Sequence, residues 1–296
     1  MIIYHYCSGD SFLGIIGSKK LWLSGIMNMS DYSEILWAKK MVIEELEGLA
    51  HNFEHSIIDE FWAEYTANTF QPFICCFSSA QDRLSQWRGY ADDGRGFSIG
   101  FDSEVLCESK GLPSLAHGAE SKLTLNRVEY DTNEARRTIH SYVEGALSAI
   151  LTDKKYQSKN LAELSDKEKY ELLNAACHRY GSHLLRGYQV TVKNPAFIEE
   201  SEYRLVHMPP WFANVTTKLT TNIQFSLSSP KYRISRDRLC TYFELNFGHL
   251  IDAGVIKEIW LGPKNQTTDM DINALLGDSG LNLERAQVQR SRVTYR

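Results

Sequence analysis

Residues 70–102 read FQPFICCFSSAQDRLSQWRGYADDGRGFSIGFD, two short apolar segments joined by a polar connection. Phe73 to Phe77 has the length of a buried strand, and Gly96 to Phe101 alternates like a strand with one crowded face. The connection carries three arginines among hydroxyls, aromatic rings and glycines. Such groups can hold a phosphate-bearing ligand by bidentate hydrogen bonds and stacking. The connection is therefore either a ligand site or a capped connecting helix with Trp87 and Tyr90 packed underneath.

The rest of the chain predicts one mixed domain rather than two. Strand patterns occupy residues 1–7, 20–24, 126–130, 203–207, 223–227, 239–245 and 256–261, and Phe197 is predicted to be extended as well. Helical periodicity with many acidic groups covers about 31–68, and a second helical stretch, 133–186, is predicted as helices at 133–152 and 166–186 joined by a polar segment. No low-complexity linker separates these stretches. We therefore expect a single α+β domain over residues 1–296 in which the two helical stretches are insertions.

Composition argues against several functional classes. The chain has 296 residues, 43% hydrophobic and 23% charged, with a formal net charge of −5, which gives no electrostatic reason to expect a dedicated nucleic-acid binder. The six cysteines form no CxxC pair and have no spacing suited to zinc. No leader peptide is predicted, and no apolar stretch approaches the roughly 20 residues that span a bilayer. We expect a cytoplasmic protein without a membrane partner.

The first strand places a histidine between two tyrosines. Strand alternation sends Tyr4 and Tyr6 to one face and His5 to the other. A histidine flanked by aromatic residues in a strand is most often a satisfied core or edge residue, and the alternative is a functional role at a site.

A pair of carboxylates precedes the predicted strand at residues 203–207. If the chain is extended from Glu200 onward, Glu200 and Glu202 share a face and lie roughly 7 Å apart. Neighbouring carboxylates in a cleft can form an acid/base pair, because their repulsion separates their pKa values. In the alternative, the segment is a solvated turn in which Glu202 forms an ion pair with Arg204 or Arg88.

The order of motifs along the chain resembles the bacterial proteins grouped as domain of unknown function 2971. The resemblance runs over most of the chain and is most specific in two blocks, Ser85-Gln86-Trp87-Arg88-Gly89-Tyr90 and Gly94 to Asp102. The family name implies no activity.

A second resemblance is to ADP-ribosyltransferases, whose sites are assembled from three strands. The chain offers His5 in a first strand, Phe77-Ser78-Ser79 at the end of a middle strand and Glu202 at the start of a later one. Glu200-Ser201-Glu202 looks like the Glu-x-Glu motif of the transferases that modify arginine. The segment around Arg83, Ser85 and Arg88 is similar to the NAD-holding loop of the DNA-targeting members. This resemblance implies a mixed, mostly antiparallel sheet of the ADP-ribosyltransferase type.

The same resemblance implies that NAD is the substrate. Glu202 would stabilise the oxocarbenium-like centre formed when the nicotinamide–ribose bond breaks, and Glu200 would take the proton of the acceptor. His5 would bind the adenosine ribose and Ser78 the nicotinamide ribose. The remaining implied NAD contacts are Tyr4, Tyr6, Phe77, Ser85, Trp87, Arg88, Tyr90 and Arg95, with Arg88 or Arg95 on the pyrophosphate.

The expected function is therefore NAD-dependent ADP-ribosyl transfer to a protein or nucleic-acid acceptor, or NAD hydrolysis. One alternative is a non-enzymatic sensor or defence module that binds a nucleotide through the Arg/Trp/Tyr loop. Another is a nuclease or phosphodiesterase that uses Glu200, Glu202 and Asp102 around a divalent metal. The transferase itself needs no metal.

Overall fold

The computed structural model describes residues 1–26, 32–67, 72–109, 125–153, 164–180, 187–207, 226–235, 237–281 and 287–295. The chain divides into two compact units. The first comprises Met1–Met29, Pro72–Val128 and Ala196–Arg296, and the second comprises Ser30–Gln71 and Glu129–Pro195. The second unit contains both of the stretches predicted as helical insertions. That the whole chain counts as one domain remains a prediction.

The first unit is built on one sheet. Its strands are β1 (Ile2–Cys7), β2 (Lys20–Gly25), β3 (Phe73–Ser78), β4 (Phe97–Asp102), β5 (Leu125–Arg127), β6 (Glu202–His207), β7 (Lys231–Ser235), β8 (Arg238–Asn246), β9 (Ile256–Leu261) and β10 (Gln287–Arg290). They follow the order β10-β9-β4-β1-β3-β2-β8-β7, and β6 joins β3 to β5. Only the β9–β10 pair among these strands is parallel. The prediction of a mixed, mostly antiparallel sheet is confirmed.

Strand β3 is a branch point in this sheet. One of its edges pairs with β6 from Phe73 to Ser78. The other edge pairs with β1 at Ser78 and with β2 at Ile74 and Phe73. Strand β1 therefore diverges from β3 beyond Tyr4, and the sheet divides into two halves at that point.

One face of the sheet forms the main hydrophobic core. It is covered by α1 (Gly9–Ser18), α5 (Ser103–Cys107) and the late helix α8 (Asp269–Asp278), with buried residues from all three packed in this core. Helix α1 begins where the Ser8 hydroxyl accepts a hydrogen bond from the Ser11 amide, and the Phe12 ring stacks on Phe97 at 4.0 Å between ring centroids. Alternate strand residues such as Ile3 and Phe77 point into this core.

The second unit is helical. It contains α2 (Tyr32–Leu49), α3 (His55–Ala67), α6 (Thr132–Leu151) and α7 (Asp166–Tyr180). Asp131 caps α6, and the fully buried Ile139, Val143 and Leu147 recur at four-residue spacing, as an amphipathic helix requires. The helices predicted at about 31–68 and 133–152 are confirmed. The helix predicted over 166–186 is confirmed to Tyr180, because residues 181–186 lie outside the described residues.

Two sequence predictions of strands have different outcomes. Phe197 was predicted to be extended, and this is wrong, because it lies in a 3-10 helix over Pro195–Glu200. Most of the strand predicted at 223–227 lies outside the described residues, and its described residue Leu227 bridges to Leu245. Among the described residues, no helix is long and apolar enough to cross a membrane.

Candidate functional site

The connection between β3 and β4 forms a short helix, α4 (Leu84–Tyr90), anchored by a fully buried tryptophan. The Trp87 ring packs edge-to-face on Tyr6 at 4.8 Å between centroids, in a cluster that also holds Trp260. Its Nε1–H donates to Asp82 Oδ1 at 2.7 Å. This arrangement satisfies the one polar atom of a buried indole. Trp87 thus anchors the connecting helix from below, whereas Tyr90 is exposed.

A single row of residues crosses five strands on the face that carries Trp87. Glu258, Gly100, Tyr4, Ser78 and Glu202 stand opposite one another in turn across β9, β4, β1, β3 and β6. A Cβ atom on Gly100 would lie 3.1 Å from both Tyr4 Cε1 and Glu258 Cβ. The glycine therefore leaves room for the Tyr4 ring, whose hydroxyl donates to Glu258 Oε2 at 3.0 Å.

The Glu202 carboxylate is buried in an ion pair. Arg204 Nε donates to Oε1 at 2.7 Å and Arg204 Nη2 donates to Oε2 at 2.8 Å. The two residues are 5% and 1% exposed, respectively. The nearby Cys76 thiol has its pKa raised well above its usual value by burial and by the Glu202 charge. Of the two partners raised by the sequence, Arg204 and Arg88, Arg204 is the one found, but the pair is buried within β6 rather than in a solvated turn.

Glu200 and Glu202 do not share a strand face. Glu200 ends the 3-10 helix, and Ser201 turns the chain with φ +46° before β6 begins. The extended conformation under which the two carboxylates would share a face is therefore not the one found. Its carboxylate accepts a hydrogen bond from the Tyr90 hydroxyl at 2.9 Å, and its carbonyl accepts one from the Ser78 hydroxyl at 2.6 Å. These contacts tie α4 and the end of β3 to the turn before β6.

His5 points to the opposite face of the sheet from Ser78 and Glu202. It follows Tyr4, the residue of the row, and adjacent strand residues alternate between faces. Its ring contacts Phe77 in the main core at 5.7 Å between centroids. Its Nδ1 donates to the Cys76 carbonyl at 2.9 Å, where β1 leaves β3. Burial lowers the pKa of His5. The structure thus brings Tyr4, Ser78 and Glu202 onto one face and does not bring His5 there.

Three other residues were predicted from the sequence to contact NAD, namely Tyr6, Phe77 and Ser85. The Tyr6 hydroxyl donates to the Ala80 carbonyl at 2.7 Å and accepts from the Arg83 amide at 3.3 Å. Phe77 lies in the main core. The Ser85 hydroxyl is buried, with no hydrogen-bond partner within the described part of the chain.

The remaining two arginines belong to a charged group on the surface. We define the cationic cluster as Arg88, Asp93, Arg95, Lys264 and Tyr295. Lys264 Nζ lies 2.8 Å from Asp93 Oδ2 and Arg95 Nη1 lies 3.8 Å from the same oxygen. The Tyr295 hydroxyl donates to Asp93 Oδ1 at 2.6 Å. Lys264 Nζ and Arg88 Cζ lie 3.8 and 5.7 Å from the centroid of the Tyr295 ring.

Charge in the cationic cluster is unbalanced. Two cations, Lys264 and Arg95, approach its single carboxylate, and a third, Arg88, lies over the Tyr295 ring. The side chains of Arg95 and Asp93 are 58% and 44% exposed. Hydrogen bonds from Lys264 and Tyr295 lower the pKa of Asp93, and the bond to Asp93 raises the pKa of Lys264. Arg88 has no ion pair or hydrogen bond to its guanidinium among the described residues. The cluster can therefore accept an anion from solution.

Backbone contacts hold the segments of the cluster together. The Lys264 amide donates to the Gly94 carbonyl at 2.9 Å, and the Gly262 amide donates to the Gly96 carbonyl at 3.0 Å. Asp82, which holds the Trp87 indole, also accepts hydrogen bonds from the Ser291 hydroxyl at 2.7 Å and the Arg292 amide at 2.8 Å. These hydrogen bonds fix the backbone segments that carry the cations of the cluster.

Sequence reasoning missed Lys264 and Tyr295. Lys264 follows Gly262-Pro263 at the end of a predicted strand, a position where ligand contacts are common, and this was the one local signal available. Tyr295 carries no local signal, because it reaches Asp93 across 202 positions of the chain.

The residues of the metal-dependent alternative are not gathered around one point. Asp102 caps α5 by accepting from the amides of Glu104 and Val105, and it lies 3.6 Å from Lys257 Nζ. Glu202 is held by Arg204. No group of three or more histidine, cysteine or acidic side chains is placed to hold a metal ion in the described ranges.

Comparison with known proteins gives one match. A family model described as "Protein of unknown function (DUF2971)" matches residues 86–205, about two-fifths of the chain. No curated protein and no solved structure matches the chain. The matched range includes Arg88, Arg95 and Glu202 and excludes Lys264 and Tyr295. The match supports the similarity of this chain to the DUF2971 family of proteins of unknown function.

Proposed function

We propose that this protein is a binding module for a phosphate-bearing nucleotide, with the cationic cluster as the site of the phosphate groups. The observation that carries the proposal is the excess of cations at the cluster. Arg95 and Lys264 approach one carboxylate, and Arg88 lies over the ring of Tyr295, which donates to the same carboxylate. A buried indole and loop-to-loop hydrogen bonds hold the backbone of these residues in place. Guanidinium groups match the geometry of phosphate oxygens, and an ammonium adds a point charge.

Binding without turnover is favoured because the groups expected to act on NAD are engaged elsewhere. Both oxygens of Glu202 accept hydrogen bonds from Arg204 in a buried pair. His5 faces the main core. Stabilising an oxocarbenium-like centre requires a carboxylate that touches the ribose, and a carboxylate held this way is not free to do so.

A second candidate is the NAD-dependent ADP-ribosyltransferase or NAD glycohydrolase, with a sheet of the ADP-ribosyltransferase type. One observation favours it: Tyr4, Ser78 and Glu202 stand in a single row across the central strands β1, β3 and β6. In this candidate Tyr4, rather than His5, shares a face with Ser78 and the carboxylate. Glu202 would have to exchange Arg204 for the substrate ribose.

Arg88→Ala should weaken nucleotide binding by about 10- to 100-fold, the loss expected when a charge-assisted hydrogen bond is removed. Arg88→Lys should fall between this variant and the wild type, because it keeps the charge but loses the fork geometry. The Tm should change little, since Arg88 is exposed and its contact with Tyr295 is a cation–π contact at the surface. Isothermal titration with NAD, ADP and adenosine measures these effects, and adenosine, which lacks phosphate, should bind weakly.

The matched control is Arg238→Ala, which removes an exposed arginine on β8 away from the cluster. It should leave the affinity for ADP unchanged. The proposal fails if neither the wild type nor any variant of the cluster binds a phosphate-bearing ligand, or if Arg88→Ala and Arg238→Ala have equal affinities.

Nicotinamide release distinguishes the two candidates. For the binding module, the wild type should release no nicotinamide from NAD, with or without cell lysate as a source of acceptors. Release by the wild type that disappears in a folded Glu202→Gln variant would favour the transferase or hydrolase instead.

A further inference from the structure

Asp93 occupies the place in the cationic cluster that an incoming anion would take. Its Oδ2 lies 2.8 Å from Lys264 Nζ and 3.8 Å from Arg95 Nη1, and its Oδ1 accepts from Tyr295. A phosphate oxygen would use the same cations and hydroxyl as donors, at hydrogen-bond distances of about 2.7–2.9 Å. The cations are therefore already neutralised in part by a carboxylate of the chain itself.

The backbone that carries Asp93 adopts an uncommon conformation. Asp92, Asp93 and Gly94 have φ values of +48°, +51° and +85° in succession, the left-handed region that L-residues other than asparagine and aspartate rarely enter. Backbone strain persists where the surrounding contacts over-determine it, and it concentrates at ligand sites and switches. Three groups that hold the Asp93 carboxylate supply such contacts here.

We propose that Asp93 is an internal competitor that sets the affinity of the cationic cluster, and that a ligand phosphate binds by displacing the Asp93 carboxylate from Lys264, Arg95 and Tyr295. This inference rests on the proposed function and adds its regulation. Ligand binding at the cluster is an exchange of one anion for another. The gain in binding free energy is therefore smaller than it would be for cations that have no anion beside them. A change that weakens the hold on Asp93 should increase ligand affinity.

Asp93→Asn should tighten the binding of ADP and of inorganic pyrophosphate by about tenfold at constant ionic strength, because it removes the competing charge but keeps the size of the side chain. Asparagine tolerates the left-handed backbone, so the fold should be retained. The matched control is Asp92→Asn, which makes the same change in net charge at the adjacent exposed residue. It should alter the affinity by less than about twofold, because exposed charges without a direct contact are screened.

Tyr295→Phe provides a second test that does not change the charge. It keeps the ring and removes the hydroxyl that donates to Asp93. The carboxylate should then be displaced more easily, and the affinity for pyrophosphate should rise by about threefold, a smaller change than removal of the charge.

The outcomes separate this inference from the proposed function. Tighter binding by Asp93→Asn relative to Asp92→Asn supports it, and so does binding by Asp93→Asn where the wild type binds too weakly to measure. Binding by the wild type that is unchanged or weaker in Asp93→Asn overturns this inference alone, because Asp93 then organises the cations for the ligand. Absence of binding in the wild type and in every variant overturns both proposals.

Discussion

Arg204→Met should lower the free energy of unfolding by about 3–5 kcal/mol, because it leaves the Glu202 carboxylate buried without its partner. Arg204 is 1% exposed and Glu202 is 5% exposed, so water cannot replace the lost hydrogen bonds. Methionine is chosen because it fills a similar volume with a flexible apolar chain. Urea denaturation at pH 7, followed by circular dichroism, measures the change.

The control for this prediction removes both charges. A Glu202→Leu/Arg204→Met double variant should recover most of the lost stability, since a buried ion pair replaced by apolar residues of similar volume is often neutral or stabilising. A single variant within about 1 kcal/mol of the wild type would contradict the prediction. That result would mean that other groups near Glu202 stabilise its buried charge when Arg204 is absent.

The ion pair between Glu202 and Arg204 also affects how activity measurements on Glu202 variants are interpreted. A Glu202→Gln variant leaves the Arg204 guanidinium buried without a counter-charge, so a loss of any activity could follow from a loss of folded protein. Measurements of stability and of ADP binding on the same preparation separate the two causes. A folded variant that retains ADP binding, because the cationic cluster is intact, would make its nicotinamide-release result interpretable.

The strands of the sheet could be predicted because their patterns are local. Alternation at Tyr4, His5 and Tyr6 placed the histidine on the opposite face from the tyrosines, and the structure has it there. The resemblance to a transferase nevertheless grouped His5 with Ser78 and Glu202. The register that pairs Tyr4 with Ser78, and Ser78 with Glu202, excludes His5 from that face, and long-range pairing of this kind leaves no local signal in one sequence.

Three elements of the fold were not predicted from the sequence, namely β7, β10 and α8. Strand β7 (KYRIS) and strand β10 (QVQR) lie at the edges of the sheet, where neither strand has a buried residue, so both lack the apolar pattern of a buried strand. Helix α8 is capped by Thr268, whose hydroxyl accepts a hydrogen bond from the Asp271 amide. The Thr-x-x-Asp spacing is a capping signal, but the helix is only 10 residues long and its periodicity is weak.

Two of the three cations of the cluster could be predicted from the sequence. Arg88 and Arg95 were visible as part of a dense polar connection. Lys264 contributes its ammonium across 171 positions of the chain, and Tyr295 its hydroxyl across 202. Which distant segments meet a loop depends on the strand order, and here β9 beside β4 brings the turn that contains Lys264 next to Gly94.

Gly96→Ala should destabilise the protein by more than about 3 kcal/mol, beyond the usual cost of overpacking, because the clash is with backbone atoms. A Cβ atom there would lie 2.2 Å from the Cys7 carbonyl oxygen and 2.9 Å from the Ala91 carbonyl oxygen. Neither atom can move without breaking the pairing of β1 with β4 or the turn that follows α4. Thermal or urea denaturation measures the loss.

Gly89→Ala is the matched control. Gly89 lies in α4 with no atom within 4 Å of the site of a Cβ, so alanine should stabilise the helix by about 0.5–1 kcal/mol. The two variants add the same methyl group seven positions apart, and only the one at Gly96 separates β4 from its neighbours. The Gly96 carbonyl also accepts a hydrogen bond from the Gly262 amide, which positions the turn that contains Lys264. Gly96→Ala should therefore weaken ADP binding even at temperatures where the variant stays folded. Equal stability and equal ADP affinity of the two variants would show that the close approach at Gly96 does not hold the cationic cluster.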